Sequence, residues 1–268
     1  MNIDVIKELF SLDGKVAIVT GGAGRLGMQH VKILLDAGAR VASFDVLDNS
    51  DLDDSVLQIK VDITKLEEVR KAVEKVFNDL GRVDILINNA TMNPKVGKDA
   101  SEIDNKQFSP YEDYPQELWD KEISVGLSGS HFCSQAVAPY MIEQKSGCII
   151  NVGSTSSITA PDNRKYEKGK FKSVAYPTIK TALLGLTRAW ASYFASVSPG
   201  IKVNSVSFGA VNFGSMEPEF LAKLGARNML GRPANPEEYR GVILFLSSKA
   251  SDFITASNLV VDGGQTAW

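Results

Sequence analysis

Two side chains spaced one helical turn apart can act together as an acid/base pair. Tyr176 and Lys180 bound the stretch Tyr-Pro-Thr-Ile-Lys, and a spacing of four residues places both on one face of a helix. A phenol has an unperturbed pKa of about 10, so proton transfer near neutral pH requires roughly 3 to 4 kcal/mol of phenolate stabilisation. A neighbouring ammonium group is the direct way to supply it. The pair therefore predicts proton transfer at Tyr176.

A second tyrosine has the same spacing from a lysine. Tyr166 and Lys170 also form a Tyr-x-x-x-Lys match, and short motifs of this kind arise easily by accident. Gly169 lies between them, which costs about 1 kcal/mol in a helix, and no apolar stripe follows. Tyr176 instead begins a long amphipathic stretch. Tyr176 is therefore the predicted acid/base residue, with Tyr166 kept as the alternative.

A serine is predicted to join this pair at the edge of a sheet. The run Cys-Ile-Ile-Asn-Val-Gly-Ser, residues 148–154, is apolar enough for a buried strand that ends at Ser154. A hydroxyl at the carboxyl end of that strand can hydrogen-bond a substrate oxygen. We therefore expect Ser154, Tyr176 and Lys180 to face one cofactor.

A glycine-rich turn predicts where that cofactor binds. After the apolar run 15–20 come Gly21, Gly22, Ala23, Gly24, Arg25, Leu26 and Gly27, in which three glycines match G-x-G-x-x-G. The turn follows a predicted strand and opens a helix, so backbone N–H groups and the helix dipole can bind a pyrophosphate. The alternative is that the glycines serve only a tight turn.

An acidic residue after the second predicted strand indicates which dinucleotide binds. Asp45 lies about 20 residues beyond the glycine turn, where a carboxylate can accept hydrogen bonds from both adenosine ribose hydroxyls. It would repel a 2′-phosphate, and Val46 and Leu47 offer no cation to bind one. The predicted cofactor is NAD, in preference to NADP.

Alternating strands and helices must position these residues. Seven short apolar runs, nearly continuous rather than alternating, indicate strands covered on both faces; they are 15–20, 40–45, 56–61, 83–88, 148–152, 201–207 and 258–262. Stretches with the apolar spacing of helices lie between these runs. One is predicted to be capped by Thr64 with Glu67 and to end at Gly81, and another to begin at Asn235. This alternation predicts an α/β fold with a doubly wound parallel sheet. No repeat or linker divides residues 1–268, so one domain is expected.

The composition excludes several classes of partner. The chain has 268 residues with 29 basic and 32 acidic side chains, which gives no excess of positive charge for binding nucleic acid. No apolar run is long enough to span a membrane, and residues 1–10 carry Asp4 and Glu8 where a signal peptide would be apolar, so a cytoplasmic protein is expected. Two cysteines and two histidines cannot assemble a zinc cluster, so no metal is expected.

Taken together, these motifs resemble the short-chain dehydrogenase/reductase family over essentially the whole chain. The resemblance rests on residues 20–27, Asp62, Asn88-Asn89-Ala90, Ser154, Tyr176, Lys180, Gly209, Gly231-Arg232-Pro233 and residues 261–264. It implies a Rossmann fold in a three-layer α/β/α sandwich, and hydride transfer between a nicotinamide cofactor and a secondary alcohol or ketone. It also implies a homo-oligomer, a tetramer or dimer. A weaker likeness links the segment 154–176 and residues 216–220 to family members in flagellin-glycan and related sugar biosynthesis, so a sugar or polyol derivative is the expected substrate.

The resemblance also assigns roles to residues. Tyr176 would be the general acid/base, Lys180 would lower its pKa and hold the nicotinamide ribose, and Ser154 would orient the substrate oxygen. Asp62 and Asn88 would line the adenosine and ribose sites. The full implied cofactor set is Gly21, Gly22, Gly24, Arg25, Leu26, Gly27, Asp45, Asp62, Ile63, Asn89, Ala90, Tyr176, Lys180, Gly209 and Val211.

Three positions depart from the family pattern. Arg25 replaces a glycine of the turn and can instead contact a phosphate; Gly126 stands where the family has an asparagine that supports a proton relay to the lysine; and Phe208 replaces a proline before Gly209. These departures keep a second hypothesis open, in which the chain binds a dinucleotide as a sensor or scaffold without turnover.

A basic loop between Ser154 and Tyr176 indicates the substrate's charge. Residues 161–172 carry five basic and two acidic side chains beside the predicted site. The five are Arg164, Lys165, Lys168, Lys170 and Lys172. A guanidinium or ammonium group among them could hold a phosphate about one sugar away from the reacting carbon, which predicts a phosphorylated or nucleotide-linked sugar. The alternative is a solvated loop. This segment and the one from Thr91 to Trp119 are longer than in most of the family, and both follow strands.

Overall fold

A parallel sheet forms the centre of the molecule. The computed structural model describes residues 3–92 and 101–268, and within these ranges seven strands form one sheet in the order β3-β2-β1-β4-β5-β6-β7, with every neighbouring pair parallel. The strands are β1 Val16–Thr20, β2 Arg40–Asp45, β3 Leu57–Lys60, β4 Ile85–Asn88, β5 Gly147–Ser154, β6 Ile201–Phe208 and β7 Asn258–Val261. Each of the seven predicted strands is confirmed, with ends that differ by at most two residues.

Helices cover both faces of the sheet. In the described ranges they are α1 Ile3–Phe10, α2 Arg25–Asp36, α3 Leu66–Leu80, α4 Glu102–Lys106, α5 Gln116–Ile123, α6 Gly129–Gln144, α7 Ala175–Val197, α8 Pro218–Gly225 and α9 Arg240–Ser247. One core joins the sheet to α3, α6 and α7, and a second joins it to α2 and α9. The doubly wound three-layer α/β/α architecture is therefore confirmed. The part of segment 91–119 that spans residues 93–100 lies outside the described residues.

The strand order determines where a ligand can bind. The chain moves outward from β1 to β2 and β3, then crosses back to β4 on the other side of β1. At such a reversal the connections leave in opposite directions and open a crevice at the carboxyl ends of the strands. The glycine turn after β1, Asp45 at the end of β2 and Ser154 at the end of β5 all lie at this edge.

Two predicted helix starts have different outcomes. The predicted capping box, with Thr64 and Glu67, is wrong, since α3 begins at Leu66. The Thr64 hydroxyl instead donates to Asp62 Oδ1 (2.7 Å), and Glu67 pairs with Arg70. Its end at Gly81, with φ of 78°, is as predicted. At Asn235 the backbone N–H donates to Glu238 Oε2 (2.7 Å), as expected of a helix start, but the first turn, Pro236–Tyr239, is 3₁₀ before α9 begins.

Neither a membrane span nor a metal cluster is found in the part of the chain that the structure describes. None of its helices is long and apolar enough to cross a membrane. No group of three or more histidine, cysteine, aspartate or glutamate side chains there is placed to hold a metal ion.

Candidate active site

The glycine turn packs so closely that a side chain would overlap neighbouring atoms at several of its positions. Gly24 is the N-cap of α2 and Gly27 lies in its first turn. A Cβ at Gly27 would lie 2.0 Å from the Gly21 carbonyl oxygen, and one at Gly22 would lie 2.4 Å from Ser43 Oγ on β2. Gly27 brings the helix N-terminus against the turn, and the turn's backbone faces the crevice. Gly22, which was expected to bind the cofactor, does not line the crevice, because it packs against β2 instead.

Asp45 is held at the end of β2 by backbone donors. Its Oδ2 accepts a hydrogen bond from the Ala23 N–H (3.1 Å) and its Oδ1 accepts one from the Leu47 N–H (3.2 Å). Asn49 supports the same turn, since its side-chain amide donates to the Ala23 carbonyl (2.8 Å). Carboxylate oxygens have further lone pairs available for ribose hydroxyls. Asn49 was missed from the sequence, where nothing distinguishes it from an ordinary turn residue.

The turn after β4 is tied to the glycine turn. Thr20 Oγ1 accepts from the backbone N–H groups of Asn89 and Ala90 (3.0 Å each), and the Asn89 side chain donates to the Thr20 carbonyl (3.0 Å). Asn88 points the other way. Its amide donates to Asn151 Oδ1 (2.8 Å) and Ser134 Oγ (3.1 Å) in the buried interior, so the expectation that Asn88 lines the ribose site is wrong.

One continuous cleft of about 1320 Å³ joins the glycine turn to Ser154 and Tyr176. Of the implied cofactor residues, those that line it are Gly21, Gly24, Arg25, Leu26, Gly27, Asp45, Asp62, Ile63, Asn89, Ala90, Tyr176, Lys180, Gly209 and Val211. Thr91 also lines it, with a buried hydroxyl that finds no hydrogen-bond partner among the described residues. Because buried polar groups are normally satisfied, this hydroxyl fits a bound polar ligand, and the cleft fits a dinucleotide with a substrate beside it.

Ser154, Tyr176 and Lys180 meet at one wall of this cleft. Ser154 ends β5, and Tyr176 and Lys180 lie in the first turns of α7. Lys180 is buried; its Nζ donates to the Val152 carbonyl (2.7 Å) and lies 5.6 Å from the centre of the Tyr176 ring. Burial lowers the pKa of the Lys180 ammonium to about 8. Burial raises the pKa of the Tyr176 phenol, and a hydrogen bond with Ser154 opposes that shift.

Tyr166 also lines the cleft but is placed differently. Its ring lies between Phe108 (5.4 Å between centroids) and Phe220 (6.0 Å). No helix connects it to Lys170, since the chain turns at Gly169, where φ is 82°, and Lys170 pairs with Glu167 (2.8 Å). Burial raises the pKa of the Tyr166 phenol. Tyr176 therefore has a lysine on the same helix face, whereas Tyr166 is packed against two phenylalanine rings.

Comparison with known proteins identifies the family. A family model described as enoyl-(acyl carrier protein) reductase matches residues 22–266. A crystal structure of a short-chain type dehydrogenase/reductase from Mycobacterium marinum superposes with a TM-score of 0.81 at 29% identity, covering 97% of this chain and 98% of that one. The chain belongs to the short-chain dehydrogenase/reductase family. It is an NAD(P)-dependent oxidoreductase that acts on alcohols or ketones.

Two further members of the short-chain dehydrogenase/reductase family show the range of its substrates and cofactors. An NAD-dependent glycerol dehydrogenase from Listeria innocua is 31% identical over 272 residues, covering 96% of each chain. A gluconate 5-dehydrogenase from Burkholderia cenocepacia, crystallised with NADP and tartrate, has a TM-score of 0.84 at 26% identity, covering 98% of this chain and 99% of that one.

The three departures from the short-chain dehydrogenase/reductase pattern have local structural explanations. Arg25 donates to Ser215 Oγ (3.1 Å) and stacks over Phe213 (5.6 Å), so it links the glycine turn to the loop after β6. Phe208 stacks on Tyr239, with ring centres 4.0 Å apart.

Gly126, the third departure, is buried in a π-helical turn, Ser124–Ser128, that joins α5 to α6. A Cβ there would lie 2.8 Å from Ile179 Cγ2. The place of the family's asparagine side chain is therefore closed by packing against α7.

The basic loop presents two of its five basic side chains to the cleft. Arg164 is 91% exposed and pairs with Asp162, Lys168 is exposed, and Lys170 pairs with Glu167, so these three do not line the cleft. Lys165 and Lys172 of the same loop line the cleft, together with Arg227 after α8. The sequence identifies Lys165 and Lys172 only as two of the loop's five basic residues.

Proposed function

We propose that this enzyme is an NAD-dependent dehydrogenase/reductase that transfers a hydride between the nicotinamide and a secondary alcohol or ketone of a sugar or polyol derivative. The observation that carries the proposal is that Ser154, Tyr176 and Lys180 line the same cleft as the glycine turn and Asp45. A cofactor bound along the turn would reach the wall where the three polar side chains meet. The named glycerol and gluconate dehydrogenases support a polyol or sugar-derived substrate.

In this proposal each of the three residues has one task. Ser154 hydrogen-bonds the substrate oxygen and orients it toward Tyr176. Tyr176 takes the hydroxyl proton during oxidation and returns it during reduction. Lys180 uses one of its three N–H donors on the Val152 carbonyl, which leaves two for the ribose hydroxyls. When bound, the oxidised nicotinamide supplies the hydride acceptor and a positive charge.

The electrostatics of the wall support a phenol that is activated only in the assembled complex. Burial holds the pKa of Tyr176 above its ordinary value, and the Ser154 hydrogen bond works against burial. The Lys180 ammonium favours the phenolate, since an opposite charge nearby stabilises the ionised form. The positive charge of the bound oxidised nicotinamide would add to that of Lys180 and further lower the pKa of the Tyr176 phenol.

Loss of the Ser154 hydroxyl tests the proposed reaction. We expect the wild-type enzyme to reduce NAD with at least one of glycerol, longer polyols and aldonic acids, followed by NADH absorbance. Ser154→Ala should lower kcat by about 10²-fold, because it removes a hydrogen bond to the reacting oxygen, while NADH binding by fluorescence titration stays unchanged. NAD binding without turnover of any alcohol or ketone would instead support the sensor or scaffold hypothesis.

Asp45 carries the proposed preference for NAD. The carboxylate, fixed by Ala23 and Leu47, would repel a 2′-phosphate at the ribose, and the exposed side chains of Val46 and Leu47 supply no counter-charge. Asp45→Ala combined with Val46→Arg should reduce the NAD-to-NADP ratio of kcat/KM by about tenfold or more, equivalent to at least roughly 1.4 kcal/mol.

Asp48→Ala is the matched control for this double variant, because it removes an exposed carboxylate three residues away and should leave the ratio unchanged. Equal kcat/KM with NAD and NADP in the wild-type enzyme would contradict the assignment.

A further inference from the structure

Three basic residues line the cleft beyond Tyr176. Lys165 and Lys172 come from the loop that precedes α7, and Arg227 follows α8. We call these three residues the basic pocket. Asp162 lies beside it, but its carboxylate accepts two hydrogen bonds from Arg164 (2.8 and 3.0 Å) and lies 3.4 Å from Arg227. Asp120 and Lys121 of α5 add one charge of each sign to the cleft. The basic pocket therefore keeps an excess of positive charge.

Lys172 places that charge next to the reacting groups. Its Nζ lies 3.9 Å from the centre of the Tyr176 ring, nearer than Lys180 Nζ at 5.6 Å. The buried Glu122 of α5 accepts hydrogen bonds from the hydroxyls of Ser173 (2.8 Å) and Tyr114, and its charge partly offsets that of Lys172. Lys172 is therefore close to the catalytic ring and is influenced by a buried carboxylate.

The cations of the basic pocket disfavour one another. Burial lowers the pKa of Lys172 to about 7, and the charges of Lys165 and Lys180 push it in the same direction against Glu122. Burial also lowers the pKa of Lys165, and the Arg227 charge adds to that effect. Like charges confined in a partly desolvated cleft destabilise the protein, and an anion among them removes the repulsion.

Aromatic side chains around the basic pocket strengthen any ion pair formed there. Lys165 Nζ lies 5.2 Å from the centre of the Tyr166 ring, which itself packs against Phe108 and Phe220. These rings reduce the local dielectric, so an anion bound here interacts more strongly than one at an exposed lysine. A guanidinium and two ammonium groups supply the positive charge and the N–H donors that bind a carboxylate or a phosphate.

We propose that the basic pocket binds an anionic group, a carboxylate or a phosphate, carried by the substrate itself. This inference rests on the proposed hydride transfer at Tyr176. An anion hydrogen-bonded to Lys172 Nζ would lie within roughly 7 Å of the Tyr176 ring centre, given N–H···O distances of about 2.8 Å. The anionic group is therefore only a few bonds from the carbon that loses the hydride, as in a hydroxy acid or a phosphorylated polyol of short chain.

A binding measurement that needs no turnover tests the basic pocket directly. Isothermal titration of the enzyme–NADH complex with malonate and with inorganic phosphate should give saturable binding of at least one anion. Lys172→Gln and Lys165→Gln should each weaken it by about tenfold or more, since each removes a charge-assisted contact. The double variant of the exposed Lys168 and Lys170 to Gln is the matched control and should bind the anion as the wild type does.

Two results of the titration would overturn the proposal. One is the absence of anion binding by the wild-type complex, and the other is equal affinity in the wild type and both pocket variants. Two pocket variants are used so that the misfolding of one leaves the other informative. Because the readout is binding, it stays interpretable even if the proposed hydride transfer fails.

Kinetics with matched substrates then separate the two anion sources. Xylonate and xylitol differ by a carboxylate, and glucitol 6-phosphate and glucitol differ by a phosphate. We expect kcat/KM to favour the anionic member of at least one pair, and Arg227→Gln and Lys165→Gln to lower that anionic-to-neutral ratio by about tenfold. A preference for the neutral members, or a ratio that neither variant changes, would contradict the proposal.

Discussion

Tyr176→Phe should lower kcat for hydride transfer by about 10²- to 10⁴-fold, because it removes the group proposed to move the hydroxyl proton. The ring remains in place, so the contacts of α7 and the packing beside Lys172 are kept. NADH affinity, measured by fluorescence titration, should therefore stay within about twofold of the wild-type value, as expected when a transition-state interaction alone is lost.

Tyr166→Phe is the control for this substitution. Tyr166 lines the same cleft, and its ring packs between Phe108 and Phe220, so losing only its hydroxyl should leave the chemical step intact. An inactive Tyr166→Phe enzyme together with an active Tyr176→Phe enzyme would mean that the proton donor lies in the loop and not on α7.

The pH dependence gives an independent check on the same pair. Oxidation requires the phenolate, so kcat/KM for alcohol oxidation should rise with pH through the pKa of Tyr176. The Ser154 hydrogen bond lowers that pKa against the effect of burial. The residual activity of Ser154→Ala should therefore rise at a higher pH than that of the wild-type enzyme.

Gly27→Ala should damage both the fold and the cofactor site. The added Cβ would lie 2.0 Å from the Gly21 carbonyl oxygen and 2.8 Å from Gly22 Cα, and both are backbone atoms that no rotamer change can move. We expect the free energy of unfolding in urea to fall by about 1–3 kcal/mol or more. The displaced turn should also raise the dissociation constant for NADH by about tenfold or more, since the backbone N–H groups no longer meet the pyrophosphate.

Gly241→Ala is the matched control, at an exposed position in α9 where a Cβ would meet nothing within 4 Å. It should raise the free energy of unfolding by roughly 0.5–1 kcal/mol through its higher helix propensity, without changing NADH affinity. If Gly27→Ala were as stable as wild type and bound NADH normally, the proposed role of the turn would be wrong.

The strands, and the residues at their carboxyl ends, could be predicted because each depends on a short stretch of sequence. Buried parallel strands are continuous apolar runs, and the residues that follow them lie at one edge, which is why the positions of Asp45 and Ser154 follow from the sequence. The direction in which individual side chains point was harder to predict. Asn88 and Asn89 are adjacent, but one points into the interior and the other to the cleft, because successive residues near a strand end point to opposite sides.

The basic loop shows where sequence reasoning ends. Its charge was evident, but an irregular segment has no periodicity from which the inward side chains can be identified. Here Lys165 and Lys172 face the cleft, and Arg164, Lys168 and Lys170 do not. Their orientation depends on contacts distant in sequence, such as the backbone hydrogen bond from Phe171 to Phe108 (3.0 Å) and the packing of Tyr166 on Phe220.

The contact between Gly126 and Ile179 couples the residue types that these two positions can hold. A Cβ at position 126 overlaps Ile179 Cγ2, and a β-branched side chain in a helix has little rotamer freedom with which to move away. An asparagine at position 126 therefore requires residue 179 to be smaller or to shift. The side-chain size at one position restricts the size at the other, so we expect substitutions at positions 126 and 179 to occur together.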